Sequence, residues 1–219
     1  MKRILCYGDS NTWGHIPADG QRYPEDVRWT GVMAKLLGSG YTVIENGLNG
    51  RTTSFDDYYV DYRNGRTGLG YALCTHAPLD MIIVSLGTND LKYTDAIGSY
   101  KGLEELLRLI EHADACYPAA ACKIFPDGAK VLVVSPIHLH PNISSLRPES
   151  SIRDKYEESL KFSAYYEQLA RTHGAEFLDA ANYAVPSAKD CVHMDPSSHM
   201  MLGKAIAEKV KAIYGENSK

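Results

Sequence analysis

The apolar positions of this chain fall into short unbroken runs, separated by stretches in which they recur three or four residues apart. Ile4-Leu5-Cys6-Tyr7, Met81-Ile82-Ile83-Val84-Ser85-Leu86 and Val131 to Val134 are of the first kind, and a run apolar on both faces predicts a strand buried in a parallel sheet. Tyr41 to Glu45 alternates, and Glu176 to Leu178 is a short last run, which makes five strands. The helical spacing lies between them. Trp29, Val32, Met33, Leu36 and Leu37 stop at Gly38, and Leu103, Leu106, Leu107 and Ile110 stop before Pro118. Ile152, Tyr156, Leu160, Tyr166 and Leu169 outline a long helix closed by Gly174. Asp195-Pro196, a capping acid with proline at the first helical position, opens a helix through Leu202, Ile206, Val210 and Ile213. Three segments have neither period. Phe55 to Arg63 reads as a packed loop or a short helix covering a site, Ala113 to Ala129 as an irregular connection, and the His- and Ser-rich segment 137–151 as a candidate lid over the sheet edge.

Strands alternating with helices predict a three-layer α/β/α sandwich around a five-stranded parallel sheet with right-handed crossovers. A common order for five strands is the flavodoxin-like 2-1-3-4-5, in which strands one and three are neighbours whose helices leave to opposite faces, so that their exits form the binding crevice. Ser10 follows strand one and Asn89 follows strand three. Gly8 removes a side chain where the chain must turn, and Asp9 and Asn11 are turn formers that bond their own backbone. Ser10 is therefore a candidate nucleophile, although Gly-Asp-Ser alone is equally an ordinary strand-ending turn.

Length and charge narrow the function. With 219 residues, 44% apolar and 23% charged, the chain is expected to fold as one globular domain, 1–219. A net charge of −4 without a basic cluster argues against nucleic acid as a partner. The apolar run before Gly8 is too short for a secretory signal, and five scattered cysteines do not suggest a disulfide framework, so a cytoplasmic setting is expected. A homo-oligomer is compatible with this composition.

A serine hydroxyl needs a base, an orienting carboxylate and donors for the developing oxyanion. Asp190-Cys191-Val192-His193 lies between the last strand and the last helix, and its spacing lets one turn present both side chains at the edge where Ser10 emerges. Asp190 could then orient His193 toward Ser10, the alternative being a polar turn before a capped helix. Cys191 is weighed as a rival nucleophile but has no base of its own, and His199, in the first turn of the last helix, reads as structural or solvent-facing. His138 and His140 have alternate spacing that suits a metal, but no third ligand is evident, so no metal and no cofactor are expected. No Gly-x-Ser-x-Gly elbow, phosphate loop or dinucleotide fingerprint occurs.

With these residues in place, the sequence resembles the SGNH hydrolases, the GDSL-type esterase and lipase family, over nearly its whole length. Gly8-Asp9-Ser10, Gly47-Leu48-Asn49-Gly50 with Arg51-Thr52-Thr53, Gly87-Thr88-Asn89-Asp90, and Asp190 with His193 look like the family's four ordered blocks. The resemblance implies Ser10 as nucleophile, His193 as base, Asp190 as its orienter, and an oxyanion hole from the amides of Ser10 and Gly50 with the side chain of Asn89. The stretches 8–14, 28–32 and 87–92 look like the arylesterase and acyltransferase branch. Asp9, Asn11, Trp13 and Thr88, which flank the nucleophile and the asparagine, are expected to bind substrate, with Trp13 walling an acyl pocket. Asn49 departs from the usual serine yet leaves the Gly50 amide available. The expected activity is hydrolysis or transfer of small acyl groups of small-molecule carboxylic esters. Its rivals are a carbohydrate O-deacetylase with the same triad, a catalytically silent binding module on the same fold, and a metal-dependent hydrolase using His138 and His140.

Overall fold

The computed structural model of the chain describes residues 1–118 and 120–215; position 119, inside the expected irregular connection, and positions 216–219 lie outside the described residues. In chain order the elements are β1 (Lys2–Gly8), α1 (Ser10–Trp13), α2 (Trp29–Leu37), β2 (Tyr41–Gly47), α3 (Gly65–His76), β3 (Met81–Ser85), α4 (Ala96–Glu111), α5 (Ala113–Cys116), β4 (Lys130–Ser135), α6 (Ile143–Leu146), α7 (Tyr156–Ser159), α8 (Phe162–Thr172), β5 (Glu176–Asp179) and α9 (Pro196–Ile213). The five strands pair in parallel in the order β2-β1-β3-β4-β5, as the alternating pattern predicts.

Alternate residues of the inner strands feed two cores. Leu5, Tyr7, Ile82, Val84 and Val133 pack with residues of α3, α4 and α8. Ile4, Cys6, Met81, Ile83, Leu132 and Val134 pack on the other face with residues of α2 and α9. Both faces of β1 and β3 are thus covered, which is why those runs are apolar throughout. No helix among the described residues is long and apolar enough to cross a membrane.

Two elements depart from the spacing. The helix α3 is not announced by the apolar pattern because glycines interrupt it, and they are there for close approach: a Cβ on Gly68 would lie 2.8 Å from the Tyr7 hydroxyl, which donates to the Gly65 carbonyl at 2.6 Å. Asn64 caps this helix, its side chain accepting from the amides of Arg66 and Thr67. The single long helix expected from Ile152 to Leu169 is instead two, α7 and α8, and Ile152 lies in the preceding turns. Ser159 marks the break. Its hydroxyl donates to the Tyr156 carbonyl (2.6 Å) and accepts from the Leu139 amide (3.0 Å), a local bond that competes with helix continuation and fastens segment 137–151 to the fold.

Candidate active site

The end of β1 delivers the central group. Asp9 caps the one-turn helix α1, accepting from the Asn11 amide at 3.0 Å, so Ser10 stands at the first helical position. Across the sheet edge, Asp190 Oδ1 accepts the amides of Val192 (3.1 Å) and His193 (2.9 Å), which folds Asp-x-x-His into a single turn. Cys191 sits in that turn at φ +69°, a left-handed conformation unusual for a residue with a side chain. The turn is clamped to the nucleophile helix by Asn11, whose Nδ2 donates to the Val192 carbonyl (3.3 Å) and whose Oδ1 accepts from the Met194 amide (3.1 Å).

These clamps bring Ser10, His193 and Asp190 into one hydrogen-bonded row. Asp190 Oδ2 accepts from His193 Nδ1 at 2.7 Å, which leaves Nε2 to accept the Ser10 hydroxyl at 2.8 Å. Burial would raise the Asp190 carboxyl, but the His193 hydrogen bond and charge, with the two amides, hold it well below the usual carboxylate range. Asp190 is therefore ionised and able to fix the imidazole tautomer.

Three N–H donors belong to residues that line the same cleft as this row. Gly50 takes φ +80°, open to glycine, and its amide makes no protein hydrogen bond among the described residues; nor does that of Ser10. Asn89 donates one side-chain N–H to the Arg51 carbonyl at 3.1 Å, which leaves its second N–H for a ligand. Arg51 ties the same loop to β1 through the Gly8 carbonyl (2.9 Å). Below, buried Asp90 accepts from the Thr53 amide (2.8 Å) and from the hydroxyls of Thr53 and Ser99 (2.6 Å each), joining the Gly50 loop to the turn that carries Asn89. Burial raises the Asp90 carboxyl to about 6, and does the same to Asp9.

Ser10, Gly50, Asn89, Asp190 and His193 all line a cleft of about 360 Å³, with Asn49 among its neighbours. Four residues expected to bind substrate are not part of its lining. Asp9, Asn11 and Thr88 border a small buried cavity beneath α1, the first two because the cap and the clamp turn them inward. Trp13 lies beside the guanidinium of Arg22, 5.4 Å from its ring centroid. The cleft also holds groups that spacing did not announce. His15 stacks on His193 at 4.1 Å between ring centroids, brought back by its own amide donating to the Ser10 carbonyl at 3.0 Å. Burial and the nearby His193 lower its pKa. Arg63, Lys92, Arg147 and Ile152 complete the wall. Segment 137–151 contributes Arg147, Ser150 and Ser151 to it, whereas Tyr58, Tyr59 and Tyr62 of the Phe55–Arg63 loop face solvent.

The rival groups are placed elsewhere. Cys191 is buried outside the cleft, and burial pushes its thiol up, away from nucleophilic use. His140 Nδ1 accepts the Asn142 amide at 3.2 Å. Among the described residues, the grouping of three possible metal-ligating side chains is His15, Asp190 and His193, without His138 or His140.

A model of the GDSL-like lipase/acylhydrolase family matches residues 6–200. Est24 from Sinorhizobium meliloti, described as a carbohydrate acetylesterase, is 37% identical and superposes with a TM-score of 0.88 over 97% of this chain and 100% of that one. The aryl esterase of M. smegmatis is 35% identical, again with a TM-score of 0.88, over 97% of this chain and 99% of that one. A lipolytic G-D-S-L family protein from Veillonella parvula, 16% identical with a TM-score of 0.62 over 95% and 97% of the two chains, shares the fold alone. No curated protein matches the sequence. A family match over nearly the whole chain, joined to these identities, shows that this chain belongs to the GDSL-like lipase/acylhydrolase family of ester hydrolases.

Proposed function

We propose that this esterase cleaves small carboxylic esters through an acyl-enzyme on Ser10, with His193 as general base and acid and Asp190 as its orienter. The carrying observation is the row in which Ser10 Oγ meets His193 Nε2 at 2.8 Å and His193 Nδ1 meets Asp190 Oδ2 at 2.7 Å, open to the cleft. As Oγ attacks the ester carbonyl, its proton passes to Nε2 and the carbonyl oxygen becomes an oxyanion. The unpaired amides of Ser10 and Gly50 and the free N–H of Asn89 receive that charge. Collapse expels the alkoxide, which takes the proton from His193. Water or another alcohol, deprotonated by the same nitrogen, then releases the acyl group. Ser10 Oγ leaves as the acyl bond breaks and takes that proton back from His193.

A cleft of this volume fits a small ester, which supports short acyl chains. Deacetylation of sugar esters is a second reading, supported by the likeness to Est24, and uses the same atoms. Five free cysteines, three of them exposed, support a reducing, cytoplasmic setting. Nothing in the reading requires nucleic acid or a membrane, and self-association is compatible with it.

A fluorophosphonate probe tests the assignment directly. Peptide mapping should place the label on Ser10, and Ser10→Ala should lose the label and lower turnover by about 10⁵-fold or more. Label on Cys191, or none with undiminished turnover, overturns it. Nitrophenyl esters of rising chain length, run beside acetylated sugars, separate the two substrate readings.

A further inference from the structure

The cleft carries charge that ester cleavage as written does not use. Three of its lining side chains are cationic, Arg63, Lys92 and Arg147, and the one acid, Asp190, is committed to His193 and to the amides around it. In a chain of net charge −4, this local excess is not a reflection of composition. Arg63 is matched by Asp57 at 2.9 Å. Arg147 is matched by Glu149 at 2.5 Å, a carboxylate 64% exposed and therefore well screened. Lys92 has no hydrogen bond or ion pair with a described residue, although it is half-buried. Burial and then repulsion from Arg63 lower its pKa, against the pull of Asp57, Asp9 and Asp90.

Its position gives that charge a direction. Asn89 and Lys92 are three residues apart in the 3₁₀ turn Thr88–Lys92, where side chains at i and i+3 eclipse and one turn advances about 6 Å. Both line the cleft. The ammonium therefore lies on the same side as the oxyanion donor, one turn farther from it. Arg63 backs it from the Gly50 loop: a Cβ on Gly50 would meet Arg63 Nε at 2.4 Å, and that buried Nε has no hydrogen-bond acceptor. Asp57 bonds Arg63 and not Lys92, and buried Asp9 and Asp90 pull on the ammonium without bonding it, which leaves its N–H donors for a ligand to answer.

We propose that Lys92, backed by Arg63, is the binding point for a carboxylate carried by the ester substrate a few bonds from the scissile carbonyl. The proposal rests on the esterase reading above and adds the chemical class of the substrate. The carboxylate could belong to the acyl half, as in a hemiester of a dicarboxylic acid, or to the alcohol half, as in an acylated hydroxy acid. Both present the same anion to Lys92.

Matched pairs test it. For the acyl half the pair is phenyl hydrogen glutarate against phenyl 4-carbamoylbutanoate, and for the alcohol half 4-acetoxybenzoate against 4-acetoxybenzamide. Carboxylate and carboxamide are similar in shape, so the ratio of kcat/KM within a pair reports charge. On one arm, the wild type should favour the carboxylate by about tenfold or more, mostly through KM, the range of a hydrogen bond to a charged group, and added salt should shrink the preference. Lys92→Gln should abolish the preference and Lys92→Glu should reverse it. The arm that responds identifies which half carries the anion. If Lys92 only balances buried Asp9 and Asp90, Lys92→Gln lowers the melting temperature and reduces both members of each pair alike, and the proposal falls. Carboxamide esters turned over with no carboxylate preference on either arm also overturn it, while the esterase reading stands. If no ester of the set, nor phenyl acetate, is cleaved, the esterase reading fails and this proposal with it.

Discussion

The two walls of the cleft are built on different physical terms. One wall consists of strand exits and the turn before α9, and its polar groups are held by the protein itself. The Asp190 carboxylate takes the Val192 and His193 amides, the His193 ring and, at 3.3 Å, the Ala18 amide. The other wall comes from three connections that precede α3, precede α4 and follow β4, and it carries Arg63, Lys92 and Arg147. Arg147 bonds a carboxylate only two residues away, and Lys92 bonds none. The difference teaches what each wall is for. A group that must move a proton along a fixed path gains from having its geometry settled before substrate arrives, since reorganisation during reaction would raise the barrier. A group that must recognise a charge gains from an open valence, which a ligand then fills.

If the first wall works as a pre-set row, the largest loss should come from spoiling its tautomer while keeping its shape. Asp190→Asn retains the two backbone amide bonds at Oδ1 but cannot hold His193 with Nδ1 protonated and facing an anion. Turnover of 4-nitrophenyl acetate should fall by up to ~10⁴-fold, with circular dichroism unchanged. Near wild-type turnover across pH would mean that the row is not the proton path. The next effect belongs to Asn89. Loss of one oxyanion donor typically costs ~10² to 10³ in turnover, so Asn89→Ala should lower kcat and kcat/KM together with KM nearly constant. Asn89→Asp sharpens the point, because a carboxylate of the same outline opposes both the Arg51 carbonyl and an oxyanion. An active Asp variant would remove Asn89 from the donor set.

The same contrast explains what could be read from the chain alone. Ile4–Tyr7 and Met81–Leu86 are apolar on both faces, which places them inside a parallel sheet, and the strand order then brings the exits carrying Ser10 and Asn89 together. The Asp190–His193 turn was legible because its spacing is local. The second wall was not, because its side chains come from connections that tertiary contacts alone aim at the cleft. His15, stacked on His193 of the first wall, escaped for the same reason: Gly14 at φ +89° ends α1 and folds the chain back, a reversal that the local sequence does not declare. Lys92 had a usable signal, its three-residue separation from Asn89, but only once the segment was known to be a 3₁₀ turn rather than a loop. Asn11, expected to touch substrate, has its side chain used up in clamping the His193 turn. The glycines of α3 and the hydroxyl of Ser159 acted against helical spacing for equally specific reasons, close approach to Tyr7 and a bond to Leu139.

The smallest expected effect on turnover concerns the foundation of the first wall. His199, fully buried in the first turn of α9, accepts the Trp29 amide at Nδ1 (3.3 Å) and so joins the helix that follows His193 to α2. Burial, with repulsion from His193 and Arg28, lowers its pKa from the ordinary 6.5 to about 4. Between those values the unfolded chain binds a proton that the folded one refuses, so stability falls as pH drops through that window. Asp9 and Asp90 act with the opposite sign. Their carboxyls, raised to about 6, contribute stability that is complete below their ordinary pKa and lost as pH rises through about 6. The wild-type curve of stability against pH is therefore flattened by opposed groups, and a single melting profile does not isolate His199. The difference between wild type and His199→Gln does, since the glutamine carbonyl can still accept the Trp29 amide but has no proton to refuse. Relative to wild type, the variant should gain about 2 to 3 kcal/mol between pH 7.5 and pH 4.5, the free energy of a shift of roughly two units, read from urea unfolding at each pH. A difference that stays constant over that range would mean that His199 titrates in the folded state as it does in the unfolded chain, and that the seam between α9 and α2 is open to water.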